Sequence, residues 1–362
     1  MPFSVEDLLS YVPLTETVKE VMSGIPKVLP EAFWTLTEDV LGDRARNIKA
    51  SGTRKTARVT PYGSPPRQVE KLPLGQTDVR LIHTFEKMPI GQELYKCLRE
   101  FESYSAQIMA REEINRQTEE FAQRSVNLEI AAVTSMVANG KIWFDSSGNL
   151  LPTSSGADLE IDYGIPAGNI GSVGGIISAS WATTTTNIPV QVANLKTKAR
   201  QTSGYELENA FYGKNVAGYL ANNTSFQQYL ARNPFYNQQF VNTGEIASGT
   251  LGIKNWIPVQ DAFFEDDAGA IQEMFPVDQI TFTPAITKAT YVMLRGSYPV
   301  PSEFRVGQSV QDVLGSVANV YGAFRYAVLD PSVPLNIALH QGNTILPRFK
   351  IPASVFIVDT TP

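Results

Sequence analysis

The stretch from Gly91 to Gly140 constrains this chain most, because it is the longest run without proline and the only one with sustained helical spacing. Apolar residues recur at Leu94, Leu98, Phe101, Ile108, Phe121, Leu128, Ala132, Met136 and Val137, the three-to-four spacing of one helical face. Asn139-Gly140 is the expected stop, since glycine takes the left-handed conformation of a helix end at little steric cost. Ser103 is placed to cap a segment running on from there. A continuous helix from that point would be about 55 Å long.

The middle of this helix is its least ordinary part. Between Arg111 and Arg124 only Ile114, Phe121 and Ala122 are apolar, too few for a stripe that faces a core. Arg111, Glu112, Arg116, Glu119, Glu120 and Arg124 are therefore read as solvated or as facing a polar partner. Two readings stand: an ordinary charged surface, or a strut anchored at both ends whose centre bridges a subunit boundary.

At 362 residues the chain can bury a sizeable core, and its 43% apolar and 18% charged residues are those of an ordinary soluble protein. The start, Met1-Pro2-Phe3-Ser4-Val5, has no basic leader or apolar core, so no signal peptide is expected. No apolar run reaches about 20 residues, so no membrane partner is expected. Cys97 stands alone, which fits a reducing compartment and precludes an intrachain disulfide. A net charge of −6 disfavours tight nucleic-acid binding.

Taken in order, residues 5–25 read as amphipathic helix, Pro26 and Pro30 break it, and Phe33-Trp34 reads as an exposed aromatic anchor. Between Asp43 and Lys87 ten basic residues face four acidic ones. Within it, Ala57 to Lys71 is rich in proline and reads as an extended hairpin with little core of its own; a mobile basic loop or nucleic-acid contact is the competing reading. Lys141 to Leu151 gives strand, turn, strand. Gly164 to Gly175 is an irregular loop, lacking the Gly-Lys-Ser/Thr ending of a phosphate loop. Helix is expected from Val190 to Gln201 and over Asn209 to Ala231, then short strands at Ile253–Val259, Gln279–Phe282 and Thr290–Leu294. The mixture from about Val190 to Val328 suggests one α+β unit. A terminal strand at Val355–Val358 is expected to return to the first unit.

Chemistry is thinly represented. His83 and His340 stand far apart, with no ligand spacing for zinc and no paired cysteines. No catalytic, cofactor or metal residues are assigned. The remaining enzymatic option is a carboxylate pair, Glu206 with Glu208 or the run at Glu265; Trp143, Trp181 and Trp256 motivate a carbohydrate-binding or hydrolytic alternative.

Several stretches are similar to the major capsid protein of lambda-type tailed bacteriophages. They are Thr84-Phe85-Glu86-Lys87, Ala110-Arg111-Glu112-Glu113-Ile114, Arg124-Ser125-Val126-Asn127-Leu128-Glu129 and Ala138-Asn139-Gly140-Lys141-Ile142. Trp181, Ile188-Pro189, Ser203-Gly204-Tyr205, Ala221-Asn222-Asn223 and Phe275-Pro276 also fall where that family has similar residues.

This resemblance implies an α+β chain of the Hong Kong 97-type capsid fold. Residues 1–45 would be an N-terminal arm, 46–85 an extended loop, 86–189 a peripheral domain with the spine helix, 190–328 an axial domain, and 329–362 a return to the peripheral domain. The loop residues Arg54, Lys55, Arg58, Tyr62, Arg67 and Lys71, with the six charged spine residues above, would form the subunit interface. The implied partners are further copies in pentamers and hexamers, separate scaffolding, portal and decoration proteins, and packaged DNA held by weak non-specific contact. The place would be the virion, assembled in the bacterial cytoplasm. A related cargo-holding shell, an encapsulin, is the second reading.

Overall fold

Helix α3, the spine, runs unbroken from Tyr104 to Asn139. At 36 residues its axis is about 54 Å long. The structure is a computed structural model that describes residues 11–25, 27–49, 75–90, 104–171, 176–259, 262–265, 269–301, 317–330 and 336–361. Ser103 and the expected hairpin over 57–71 lie outside these residues. Gly140 closes the spine with φ +64°, its N–H donating to the Met136 carbonyl at 2.9 Å. Every residue from Ala131 to Ala138 is buried, whereas 112, 115, 116, 119, 120, 123 and 124 face solvent. The helix is core at one end and surface in the middle.

The buried end lies on a six-stranded sheet. Strand β1 (Thr37–Val40) runs parallel to β14 (Tyr291–Pro301), whose first half pairs antiparallel with β17 (Asn336–Phe349). The rest of that flank of β17 pairs with β16 (Phe324–Asp330), its other flank with β4 (Ile82–Ile90), and β15 (Val317–Tyr321) extends β14. Gly342 has no room for a side chain, since a Cβ there would stand 2.3 Å from the Thr84 carbonyl oxygen.

Helix α1 (Tyr11–Gly24) lays Val18 and Met22 against Phe121, Ala122 and Val126 of the spine. The short helix α2 (Ala32–Thr35) buries Phe33 and Trp34. That corrects the exposed anchor expected there: Phe33 sits 4.8 Å, centroid to centroid, from Tyr291 at an edge-on angle, a favourable aromatic pairing that adjacency in sequence could not reveal.

Strands β2 (Arg44–Lys49) and β3 (Gly75–Arg80) form an antiparallel ribbon. A small sheet follows the spine, with β5 (Lys141–Phe144) between β6 (Leu150–Leu151) and β7 (Leu159–Asp162). Its turn is held by Asp145, whose Oδ1 accepts from the backbone N–H of Ser147 and Asn149, each at 2.8 Å.

The second unit is a five-stranded sheet ordered β10 (Asn255–Pro258), β9 (Asn209–Tyr212), β13 (Gln279–Thr283), β18 (Phe356–Asp359), β8 (Ile170–Gly171). Helices α4 (Ile188–Thr202), α5 (Val216–Asn222), α6 (Thr224–Ala231) and α7 (Pro234–Thr243) accompany it. Asn187 caps α4 by accepting from Val190 N–H, and Pro189 opens the first turn. Trp181, Leu195, Phe226, Phe282 and Phe356 share its core. A ribbon of β11 (Phe263–Glu265) and β12 (Ile271–Glu273) packs Phe264 against the core that holds the buried end of the spine.

Three sequence expectations are corrected here. Asn209–Tyr212 is a buried strand, not helix, because an Ala-Phe-Tyr run with strands on both sides needs no alternation. The terminal strand Phe356–Asp359 joins the second sheet between β13 and β8, satisfying its backbone there and not in the first unit. Conversely, Tyr291–Pro301 and Phe324–Asp330, grouped by sequence with the second unit, belong to the first sheet through their pairing with β17.

Candidate subunit interface

The spine's middle turns carry a charge ladder on the solvent side. Arg116 donates to Glu113 at 2.7 and 2.9 Å and lies 3.9 Å from Glu120. Its guanidinium holds the Glu113 carboxyl below the ordinary glutamate value. With 65% of the Arg116 side chain exposed, these contacts contribute little to stability. Glu112 and Glu119 are exposed beside them. On the opposite side Thr118, Phe121, Ala122, Ser125 and Val126 are buried. One helix thus presents a fixed row of both signs without drawing on its core.

Arg124 leaves this row and reaches Glu86 of β4 at 3.1 Å. Glu86 in turn accepts from Gln341 Nε2 at 3.2 Å. Register places Gln341 opposite Glu86 on one side and Arg325 on the other, so a polar row crosses three strands under the spine. Arg325 is fully buried, and its guanidinium donates to Thr118 of the spine. Thr118, Arg325 and Gln341 escaped sequence reading, because partners hundreds of residues apart leave no local signal, and Glu86 is named there only within the Thr84–Lys87 stretch.

The base of the basic segment is firmly seated. Ala45, buried to 4%, pairs with Val79, and both line a small enclosed cavity with Ile161, Tyr163, Leu346 and Arg348. From that seat the pairing of the two strands continues to Lys49 opposite Gly75. Arg54, Lys55, Arg58, Tyr62, Arg67 and Lys71 lie outside the described residues, as does the side chain of Arg111. The structure therefore joins Arg116 to Glu120 and the added Glu113, and separately joins Arg124 to the added Glu86.

Of the groups that motivate the enzymatic alternatives, Glu206, Glu208 and three tryptophans have internal partners, while residues 266–268 beside Glu265 lie outside the described residues. Glu206 pairs with Arg200 and Lys196, and Glu208 with Lys254 at 2.8 Å. Trp143 donates to Glu160, Trp181 to Gln191 and Trp256 to the Thr250 carbonyl, at 2.9, 2.8 and 3.0 Å, and all three rings are buried. His83 Nδ1 lies 2.7 Å from Thr344 Oγ1 and its ring stacks on Tyr298. Among the described residues no group of three or more His, Cys, Asp or Glu could hold a metal, and no helix is long and apolar enough to cross a membrane.

A long spine on a sheet with a second sheet beside it, and a separate two-stranded ribbon, define a subunit of the Hong Kong 97-type shell fold. A protein assigned as the capsid protein of a prophage in E. coli CFT073 shares this fold at a TM-score of 0.52 with 13% identity, covering 97% of this chain and 99% of that one. A phage-related protein from Bordetella bronchiseptica RB50 aligns at 0.49 with 7% identity, over 97% of each chain. The mature capsid of bacteriophage PhiM1 aligns at 0.43 with 11% identity, over 90% of this chain and 86% of that one. No curated protein sequence is significantly similar.

The chain belongs to the phage major capsid protein E family, whose model matches residues 26–298. It is a structural capsid protein of a virion, and the family supports the viral shell over the encapsulin reading.

Proposed function

We propose that copies of this chain assemble as pentamers and hexamers into an icosahedral head enclosing double-stranded DNA, with the basic segment of one copy laid on the acidic body of the next. The observation that carries this reading is the seated ribbon: Ala45 and Val79 fix its base in the core, while the segment beyond is basic and poor in apolar residues. A closed shell needs heterologous contacts that repeat by rotation, and a basic arm on an acidic neighbour sets register in a salt-sensitive way. The six-stranded sheet with the spine is the peripheral body, and the five-stranded sheet with α4 to α7 is the axial one. Arg111, Glu112, Arg116, Glu119, Glu120 and Arg124 face a neighbouring copy. Scaffolding, portal and decoration proteins are separate partners, and assembly takes place in the host cytoplasm. A net charge of −6 suits weak, non-specific contact with packaged DNA.

Deleting Thr53 to Lys71 tests this. The subunit folds with unchanged circular dichroism and forms no shells; an unchanged particle yield overturns the loop assignment.

A further inference from the structure

The β11–β12 ribbon has one face turned to the core and one turned to solvent. Phe264 and Gln272 pair across it, and Phe264 packs on the core around the buried end of the spine. Ala262 before β11, and Met274 and Phe275 after β12, are buried in that same core, so the ribbon is held at its base and along one face. Side chains alternate along a strand, and the other face carries Phe263 opposite Glu273 and Glu265 opposite Ile271. All four are exposed, Phe263 to 51% and Ile271 to 75%.

This outer face does little for the ribbon itself. Cross-strand pairs stabilise a sheet when aromatic meets aromatic or β-branched, or when opposite charges meet. Here each apolar side chain stands opposite a carboxylate, and two large apolar groups remain in water. Apolar and acidic corners alternate, a surface suited to an occupant that brings apolar side chains and cations together. From Asp261 to Glu273 the sequence has five acidic residues and no lysine or arginine, so the ribbon has no cation of its own to answer them. Lys141, Lys196, Arg200, Lys254 and Lys350 are engaged with other carboxylates of their own subunit.

The complementary stretch is in the sequence. Residues 53–71 carry Arg54, Lys55, Arg58, Arg67 and Lys71 against Glu70 alone, with Val59, Tyr62 and Val69 among them. We propose that the outer face of the β11–β12 ribbon is the dock for residues 53–71 of an adjoining copy. Cations of that segment meet Glu265 and Glu273, and its apolar side chains cover Phe263 and Ile271. A second copy supplies the segment because all four ribbon side chains are exposed in the single subunit. The proposal rests on the shell-subunit reading above and names the place on the acidic body where the basic segment lies. Local opposite charge of this kind fixes register and weakens with salt.

Charge reversal tests it in the full chain. Glu265→Lys with Glu273→Lys forms no shells, and neither does Arg58→Glu with Arg67→Glu. All four substitutions in one chain restore shells, because the signs match again. Dissociated subunits melt at the wild-type temperature in every case, since the contact lies between copies. Shells at wild-type yield from either reversed pair overturn the proposal. So does a fourfold variant that fails to recover them, or a lowered subunit melting temperature, which puts these side chains to work within one chain. Wild-type chain run alongside separates the two readings: its failure to form shells counts against the proposed function, whereas shells from wild type and the ribbon-reversed chain alike count against this dock alone.

Discussion

Arg124 of the spine and Glu86 of β4 pair at 3.1 Å with roughly half of each side chain exposed, yet their surroundings are unequal. Arg124 ends in solvent; Glu86 also accepts from Gln341, which is buried. Removing Arg124 loses a screened surface pair, worth less than about 1 kcal/mol. Removing Glu86 also strands the Gln341 amide, adding about 1–2 kcal/mol. Urea unfolding of Arg124→Ala and Glu86→Ala subunits is expected to show this asymmetry, with the arginine effect shrinking in high salt.

The Thr15 hydroxyl of α1 donates to the Arg325 carbonyl and accepts from the Arg325 N–H, each at 3.1 Å, on the outer edge of β16. Thr15→Val keeps the shape and leaves a buried N–H and carbonyl unpaired, so subunit stability is expected to fall by about 1–3 kcal/mol. Hydrogen exchange at the Arg325 amide should accelerate more than exchange in β17; equal acceleration in both would show that the bond is not what holds the edge.

Glu129 gives a pH dependence of known sign. It is buried on the spine, accepts from Asn343 Nδ2 at 2.9 Å, and burial raises its pKa above the ordinary value of 4.5. The folded state thus holds this proton to higher pH than the unfolded state, and stability falls as pH rises from the unfolded value toward the raised one. Glu129→Gln keeps the acceptor and removes the titration. Its melting temperature relative to wild type should rise from pH 4 to pH 7, and a constant difference would contradict the assignment.

Two glycines should differ in cost. At Gly140 a Cβ meets the tip of the Ile165 side chain, which can move, so the main penalty of Gly140→Ala is its φ of +64°, about 1–2 kcal/mol. At Gly342 a Cβ meets the Thr84 carbonyl and the Phe324 ring, backbone and core that cannot yield cheaply. Gly342→Ala is expected to cost more, about 3 kcal/mol or above, and thermal melts of the two variants will rank them.

What sequence could show was local. The spine's end at Asn139-Gly140, the turn at Asp145 and a helix beginning near Pro189 all follow from residues within a few positions of one another, and all are present. What it could not show was sheet membership. Tyr291–Pro301 and Phe356–Asp359 look alike as β-type runs, yet one lies beside β17 and the other beside β13. Their partners are set by packing across the whole chain. Phe33-Trp34 was misjudged for the same reason, since its burial depends on Tyr291 and Phe211. The charged spine residues were legible as surface, but Arg325 was not, because nothing near it in sequence announces Thr15 or Thr118.

Sedimentation velocity of the purified full-length chain tests the central claim most directly. The account predicts rings and closed particles many subunits in mass, dissociating as salt rises. A single species at the mass of one subunit, unchanged across concentration and ionic strength, would contradict it.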